Sequence, residues 1–185
     1  MMKRLLITLL LPLLLSLGQE AKAQDINAIR DAFYQVTLNS AYADSLLQYL
    51  QGIEEPSPLI QAYIGATRAI NTKTMWNPYS KIVNIKKAAK MINKAVGEDM
   101  ENLEIRFLRY AVEFHIPGWL MIKKHQGEDG DFLYENLLTF DLSFLTINII
   151  DYIAEFYEIN DIYSADHTDM ILDRLNSTRE QLAGN

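Results

Sequence analysis

The chain has 185 residues, of which 49% are hydrophobic, and it contains no cysteine. Disulfides and thiol chemistry are therefore excluded, and the fold must be stabilised by packing. The formal net charge is −7 at pH 7. An acidic chain is a poor match for nucleic acid, so we expect no nucleic-acid partner.

The first 23 residues have the three parts of a secretory signal peptide. Lysine and arginine at positions 3 and 4 give a positive start, an apolar run covers 5–17, and Ala21 and Ala23 are the small residues expected before a cleavage site. The apolar run is shorter than the roughly 20 residues that a membrane-spanning helix needs. No cysteine follows it that could carry a lipid anchor.

We therefore expect cleavage after Ala23 and export to the periplasm or to the outside of the cell. The predicted mature chain, 24–185, has the length of a single domain, and we expect no transmembrane span after cleavage.

Charge is unevenly distributed along the predicted mature chain. Between Pro56 and Val96 there are seven basic residues and no acidic one, whereas the remainder has 23 acidic and seven basic residues. The basic residues of this segment are Arg68, Lys73, Lys81, Lys86, Lys87, Lys90 and Lys94. Such segregation indicates either pairing with an acidic face of the same protein or a surface for an anionic partner.

Apolar residues recur at intervals of three and four through the first half of the chain, which predicts amphipathic helices. The segment 25–52 is predicted to form a hairpin of two helices broken near Asn39. The next helix should start at Pro58, with Ser57 as its cap, and should end near Trp76 because of the proline at position 78. Gly65 lies inside this helix, which predicts the close approach of a neighbouring helix.

A further helix is predicted from Tyr79 to Val96, with Gly97 as its C-cap and its lysines on the polar side. Asp99 should open the helix after it. That helix is apolar almost all the way round and should be central to the fold. Its polar strip contains Arg106, Arg109 and Glu113, whereas Glu104 falls on the apolar side.

The second half is predicted to contain an acidic loop at 128–131 and then three helices, at 132–140, 142–157 and 165–182. No segment shows strand-like alternation. The sequence therefore predicts an all-α protein of about seven or eight helices in antiparallel hairpins.

Two groups of small residues resemble the contact positions of tetratricopeptide repeats. Ile64-Gly65 resembles the Leu-Gly pair of a first repeat helix, and 88–95 resembles the small and large series of the second. The resemblance covers about 40 residues, without a regular 34-residue period. It implies a right-handed helical array.

The chain also resembles a group of short exported proteins of Bacteroidetes. The shared features are a Trp-Asn-Pro turn at 76–78 and an Arg-Phe-Leu-Arg helix at 106–109. No established activity comes with this resemblance.

Catalytic and metal-binding motifs are not visible. The chain has no Gly-x-Ser-x-Gly elbow and no Ser-x-x-Lys. Its three histidines are far apart, so we expect no metal site and no cofactor. The 129–131 segment could hold calcium, but it lacks the other acidic positions of an EF-hand and is predicted to be a solvated turn and the start of a helix.

Glu104 with Arg106 and Arg109 is the sharpest constellation in the sequence. A half-buried carboxylate could act as an acid or base. The alternative is that Glu104 pairs with a basic residue of a neighbouring helix, such as Arg68, or accepts a tyrosine hydroxyl. The two arginines could bind a carboxylate or phosphate, or bridge to acids of the C-terminal helices.

These features predict a non-enzymatic exported binding module that presents a helical groove to a protein or peptide. Lys86, Lys90 and Lys94, with Trp76 and Tyr79 nearby, could contact an anionic component of the cell envelope or an acidic partner. The alternative is a pocket for a small anionic or glycan ligand, with possible hydrolytic activity. Its expected lining residues are Tyr63, Trp76, Glu104 and Arg106.

Overall fold

The computed structural model describes residues 25–120, 122 and 125–184, so the predicted signal peptide at 1–23 lies outside the described residues. The described residues form eight α-helices and no strand, which confirms the all-α prediction. The helices are α1 (Ile26–Leu38), α2 (Ala43–Gln51), α3 (Pro58–Asn71), α4 (Pro78–Glu98), α5 (Leu103–His115), α6 (Gln126–Thr139), α7 (Ile147–Ile159) and α8 (Ala165–Ala183). No helix in these ranges is both long and apolar enough to cross a membrane.

Side-chain caps fix where most of the helices begin. An oxygen of the residue before the helix accepts a hydrogen bond from a backbone N–H of the first turn, which has no partner inside the helix. The caps are Asp25 for α1, Ser57 for α3, Asn77 for α4, Asn102 for α5 and Thr146 for α7. Pro58 and Pro78 occupy the first helical positions of α3 and α4, where the missing N–H carries no penalty.

Some predicted helix ends were wrong by several residues. Helix α3 ends at Asn71 rather than near Trp76, because a 3₁₀ turn, Thr72–Thr74, follows it. The hydroxyls of Thr72 and Thr74 donate to carbonyls three residues earlier, which favours the tighter turn over further α-helix.

The C-terminal end of α4 and the start of α5 also differ from the prediction. Gly97 lies inside α4, and Asp99 is the C-cap of α4 rather than the start of the next helix. The cap of α5 is Asn102, whose side chain accepts from the N–H of Ile105 at 3.1 Å.

The predicted acidic loop at 128–131 is wrong, because these residues form the first turns of α6. Glu128 and Asp129 lie where carboxylates favour the positive end of the helix dipole. The next helix starts at Ile147 rather than Leu142, since Thr146 caps it after a turn.

The helices pack as successive hairpins. Helix α3 packs against α2 and α4, and α5 packs against α3, α4 and α6. Helix α1 contacts α3, so α1, α3 and α5 form a row. Helix α5 is central, as predicted: every residue from Leu103 to Ala111 is buried, including both arginines.

Helix α7 returns to this row after the third hairpin. It contacts α1, and its aromatic side chains pack on α5: the ring centroids of Phe107 and Tyr152 are 5.3 Å apart, and those of Phe107 and Phe156 are 5.4 Å apart. Phe33 of α1 also meets Tyr152, at 5.8 Å. Helix α7 therefore covers part of the surface that α1 and α5 form.

Gly65 marks the crossing of α3 and α4, which confirms the predicted close approach. A Cβ atom on Gly65 would lie 2.5 Å from Ile92 Cγ1 and 3.0 Å from the carbonyl oxygen of Ala88. These separations are shorter than van der Waals contact, so the two helices meet at this distance only because position 65 has no side chain.

Candidate functional site

Glu104 is 1% exposed and is held by two other helices. Arg30 of α1 donates to both of its oxygens, from Nε to Oε1 at 2.9 Å and from Nη2 to Oε2 at 2.6 Å. The hydroxyl of Tyr63 on α3 donates to Oε1 as well. The prediction of a paired carboxylate with a tyrosine donor is confirmed, but the basic partner is Arg30 and not Arg68.

The surroundings of Glu104 set the ionisation of its partners. Burial lowers the pKa of Arg30, but the hydrogen bond and the negative charge of Glu104 outweigh it, so the pKa is raised. Burial first, and then the charge of Glu104, raise the pKa of the Tyr63 hydroxyl well above its usual value. Arg30 is therefore a cation and Tyr63 a neutral donor across the physiological range.

Arg106 and Arg109 point away from Glu104 and bind α6. Arg109 Nε and Nη2 donate to Asp129 Oδ2 and Oδ1, both at 2.6 Å. Arg106 Nη1 donates to Glu128 Oε1 at 2.7 Å, and Arg106 Nε lies 2.7 Å from Asp129 Oδ1. These arginines therefore bridge to acids rather than leaving their guanidinium groups free for a ligand, but both acids lie in the segment that was predicted to be a loop.

The prediction of a solvated turn at 129–131 needs correction, and the polar strip of α5 is covered. Asp129 is 0% exposed, so it does not belong to a solvated turn. Glu113 is 1% exposed and lies 2.9 Å from Nδ1 of His125, which shows that α6 and the residue before it cover the whole polar strip.

The structure does not assemble the predicted pocket of Tyr63, Trp76, Glu104 and Arg106. Tyr63 and Glu104 meet, but Arg106 lies on the opposite side of α5 and Trp76 is 95% exposed. Arg68 lies elsewhere, with Nη1 donating to Asn84 of α4 at 3.1 Å. Both oxygens of Glu104 accept hydrogen bonds inside the core, which leaves no face for a substrate.

The lysines of α4 lie together on the surface. Lys86, Lys87, Lys90 and Lys94 are exposed and form what we call the lysine face. Lys94 is 3.3 Å from Glu98 of the same helix, and no acidic residue of the described ranges lies within 4 Å of the other three lysines. The acidic helices α6 to α8 therefore leave the lysine face open to solvent.

Two large aromatic side chains lie at the start of α4. Trp76 and Tyr79 are 95% and 74% exposed. Tryptophan and tyrosine are enriched among the residues that contribute most to binding at protein interfaces.

A cleft that the sequence did not predict lies between α7 and the row formed by α1, α3 and α5. The C-terminal halves of α1, α3, α5 and α7 line a space of about 260 Å³, which we call the C-terminal cleft. Its walls are mainly apolar, and its polar lining residues are Thr37, Lys73, His115, Tyr152 and Glu155. These residues come from four separate segments, so no local pattern in the sequence could have found the cleft.

Among the described residues, no three His, Asp or Glu side chains cluster as metal ligands. Comparisons with protein-family models, with curated proteins and with solved structures found no match. Over the described ranges, the fold defines an all-α array of eight packed helices, with an exposed basic surface and an apolar cleft.

Proposed function

We propose that this protein is a non-enzymatic binding module that captures an acidic protein or peptide segment on the lysine face of α4. The observation that carries the proposal is the open row of lysines on a chain of net charge −7. A cluster of one sign on a surface of the other sign steers and orients a partner of complementary charge.

The spacing of the lysines supports an extended or helical partner. Lys86, Lys90 and Lys94 are four residues apart, so they line one side of α4. With a rise of about 1.5 Å per residue, the row is about 12 Å long. Carboxylates at the same spacing on an acidic helix would meet all three ammonium groups.

Trp76 and Tyr79 supply the apolar contact that charge alone lacks. Charged pairs at an exposed rim contribute little affinity, whereas a buried tryptophan or tyrosine contributes much more. We expect the partner to extend from the lysines over these two rings.

The open groove expected between the helix pairs is a less favoured docking site, because α7 packs over α1 and α5. The tetratricopeptide-like character of the array, the relation to exported Bacteroidetes proteins and export itself stay part of the proposal. The support for export is the composition of residues 1–23. In that setting the partner would be an acidic segment of another envelope protein.

The experiment compares two triple variants at Lys86, Lys90 and Lys94. Changing all three to Gln removes the charge, and changing all three to Arg retains it. The probe is a synthetic helical peptide with Glu at every fourth position and a fluorophore, and its binding is measured by anisotropy at low and moderate salt. We expect the Gln variant to lose binding by at least about tenfold and the Arg variant to retain it.

Both triple variants should keep the melting temperature, since exposed substitutions change stability by about 0.5 kcal/mol or less each. Equal binding by the wild-type and Gln proteins would overturn the proposal. Vesicles of phosphatidylglycerol form a second arm. A blue shift of tryptophan emission on these vesicles without peptide binding would assign the lysine face to a membrane surface instead.

Crosslinking and pull-down from the envelope fraction then identify the natural partner. The Gln variant serves as the control for specificity, and a partner that both proteins capture equally is not the one proposed.

A further inference from the structure

The C-terminal cleft contains a carboxylate in an unusual setting. Glu155 of α7 is half-buried and lines the cleft. The Tyr34 hydroxyl donates to its Oε1 at 2.9 Å, and no basic nitrogen of the described ranges lies within 4 Å of it. We infer that the cleft binds a small amphipathic ligand with an apolar body and one protonated amine, and that the amine pairs with Glu155.

The other acids in the interior of this fold show why Glu155 stands out. Glu104 is paired with Arg30, Asp129 with Arg109, and Glu113 lies beside His125. A carboxylate withdrawn from water is normally balanced by a cation. Arg179 of α8 binds α7 at Asp151, at 2.7 Å, and not at Glu155. A ligand amine would give Glu155 the partner that the protein does not supply.

The walls of the cleft suit the apolar part of such a ligand. Phe33, Ile70, Val112 and Phe156 contribute to the lining. The rim is apolar as well, since Leu38 is 58% exposed and Ile159 is 76% exposed. A space of about 260 Å³ is at the small end for ligand sites, which favours a short alkyl chain or one ring over a large ligand.

The electrostatics of the cleft favour a cation over an anion. The C-terminal ends of α1, α3, α5 and α7 all lie here, and each carries the partial negative charge of its helix dipole. The rings of Phe33, Tyr152 and Phe156 also line the cleft and can attract an ammonium group.

Two basic side chains in the lining oppose this preference weakly. Lys73 is exposed, so water and salt screen its charge. His115 is exposed as well, so charge at this position is screened in the same way, and its Nδ1 is hydrogen-bonded to the carbonyl of Ala111 at 2.8 Å. Glu155 is less exposed to solvent than Lys73, so its negative charge dominates the electrostatic potential of the cleft.

One tyrosine hydroxyl positions the Glu155 carboxylate, and a second can bind the amine. Burial, followed by the hydrogen bond with Glu155, raises the pKa of Tyr34 to about 12, so it stays a neutral donor. Burial, followed by the charge of Glu155, also raises the pKa of Tyr152. The Tyr152 hydroxyl has no hydrogen-bond partner among the described residues, so it is available to accept from a bound amine.

The test uses three probes of equal chain length, n-octylamine, n-octanol and n-octanoate, with the purified full protein at pH 7. Affinity is measured by calorimetry. We expect octylamine, which is protonated at this pH, to bind at least about tenfold more tightly than octanol, and octanoate to bind most weakly. Equal affinities, octanoate as the tightest ligand or no binding of any probe would each overturn the inference.

Variants locate the binding on the structure. Glu155→Gln should reduce octylamine affinity to that of octanol, whereas Glu158→Gln, the same change at an exposed position of α7, should leave it unchanged. Ala69→Phe places a ring in the cleft and should block all three probes. Unchanged octylamine binding in Glu155→Gln or in Ala69→Phe would also overturn the inference. Each variant is first checked for wild-type helicity, and peptide capture by the lysine face should be unaffected.

Discussion

Arg30 and Glu104 are 74 residues apart in the sequence and form a bidentate ion pair in the core. Arg30 also donates to the carbonyl of Phe144 at 2.8 Å, in the turn before α7, and Tyr63 of α3 donates to Glu104. The cluster therefore joins α1, α3 and α5 to the turn that directs α7. We assign it a structural role, because every polar atom of Glu104 has a partner within the protein.

Glu104→Gln should destabilise the protein by about 3–5 kcal/mol, because it leaves the Arg30 cation buried without its counter-charge. Urea unfolding followed by circular dichroism measures the change. The control is Glu98→Gln, which removes an exposed carboxylate beside Lys94 and should change stability by less than about 1 kcal/mol.

A double variant separates charge from packing in the same cluster. Arg30→Met combined with Glu104→Leu removes both charges and should be more stable than Glu104→Gln alone. If Glu104→Gln unfolds at the wild-type urea concentration, the structural role assigned to Glu104 is wrong.

Asp129→Asn should destabilise the contact between α5 and α6. The carboxylate of Asp129 is 0% exposed and binds both Arg106 and Arg109. An amide at this position would leave two buried guanidinium groups without the negative charge that balances them. We expect a loss of about 3–5 kcal/mol in urea unfolding. Asp131→Asn is the matched control, since Asp131 is exposed two residues further along. Similar effects for the two variants would contradict the assigned pairing.

The sequence predicted the long helices well because their apolar periodicity reports directly which face is buried. It also predicted the burial of Glu104, since a helical wheel places that residue on the apolar side of α5. The partner of Glu104 could not be predicted in the same way. Arg30 and Glu104 meet only because α1 and α5 lie in one row, and that contact depends on the packing of the whole array.

The first turns of α6 show where composition misled the prediction. Two glycines and three acids at 127–131 are typical of a loop. Pairing of Glu128 and Asp129 with α5 and the favourable helix dipole outweigh this local preference. The C-terminal cleft was missed for a related reason, since Glu155 has the helical spacing of a solvated acid, and its contact with Tyr34 of α1 depends on tertiary packing.

Gly65→Ala should destabilise the protein even though alanine favours helix by up to about 1 kcal/mol. The added methyl group would overlap Ile92 and approach the backbone of Ala88, so α3 and α4 must separate. Overpacking of this kind typically costs about 1–3 kcal/mol. Thermal unfolding monitored by circular dichroism checks the sign.

Gly97→Ala is the matched control for Gly65→Ala. Gly97 also lies inside a helix, but a Cβ atom there would meet nothing within 4 Å. We expect this variant to be more stable than the wild type by about 0.5–1 kcal/mol. If both glycine variants shift stability in the same direction, the close crossing of α3 and α4 at position 65 is not what limits that position.

Stability should fall in alkaline solution because of buried tyrosines. Burial, followed by the charge of Glu104, raises the pKa of Tyr63. Burial, followed by the electrostatic interaction with Tyr163, raises the pKa of Tyr157. Below pH 10 these tyrosines are neutral in both states, so their contribution is complete. Above pH 10 the unfolded chain loses protons that the folded protein retains, and the free energy of unfolding decreases.

Each such tyrosine lowers the free energy of unfolding by about 1.4 kcal/mol per pH unit above pH 10, up to its folded pKa. Urea midpoints between pH 8 and pH 12, with tyrosinate absorbance recorded in parallel, measure the slope. Tyr157→Phe should make the slope shallower, because it removes one of these buried hydroxyls. Tyr42→Phe, at a position that is 57% exposed, is the matched control for loss of a tyrosine hydroxyl. A midpoint that is constant up to pH 12 would show that these tyrosines ionise alike in the folded and unfolded states.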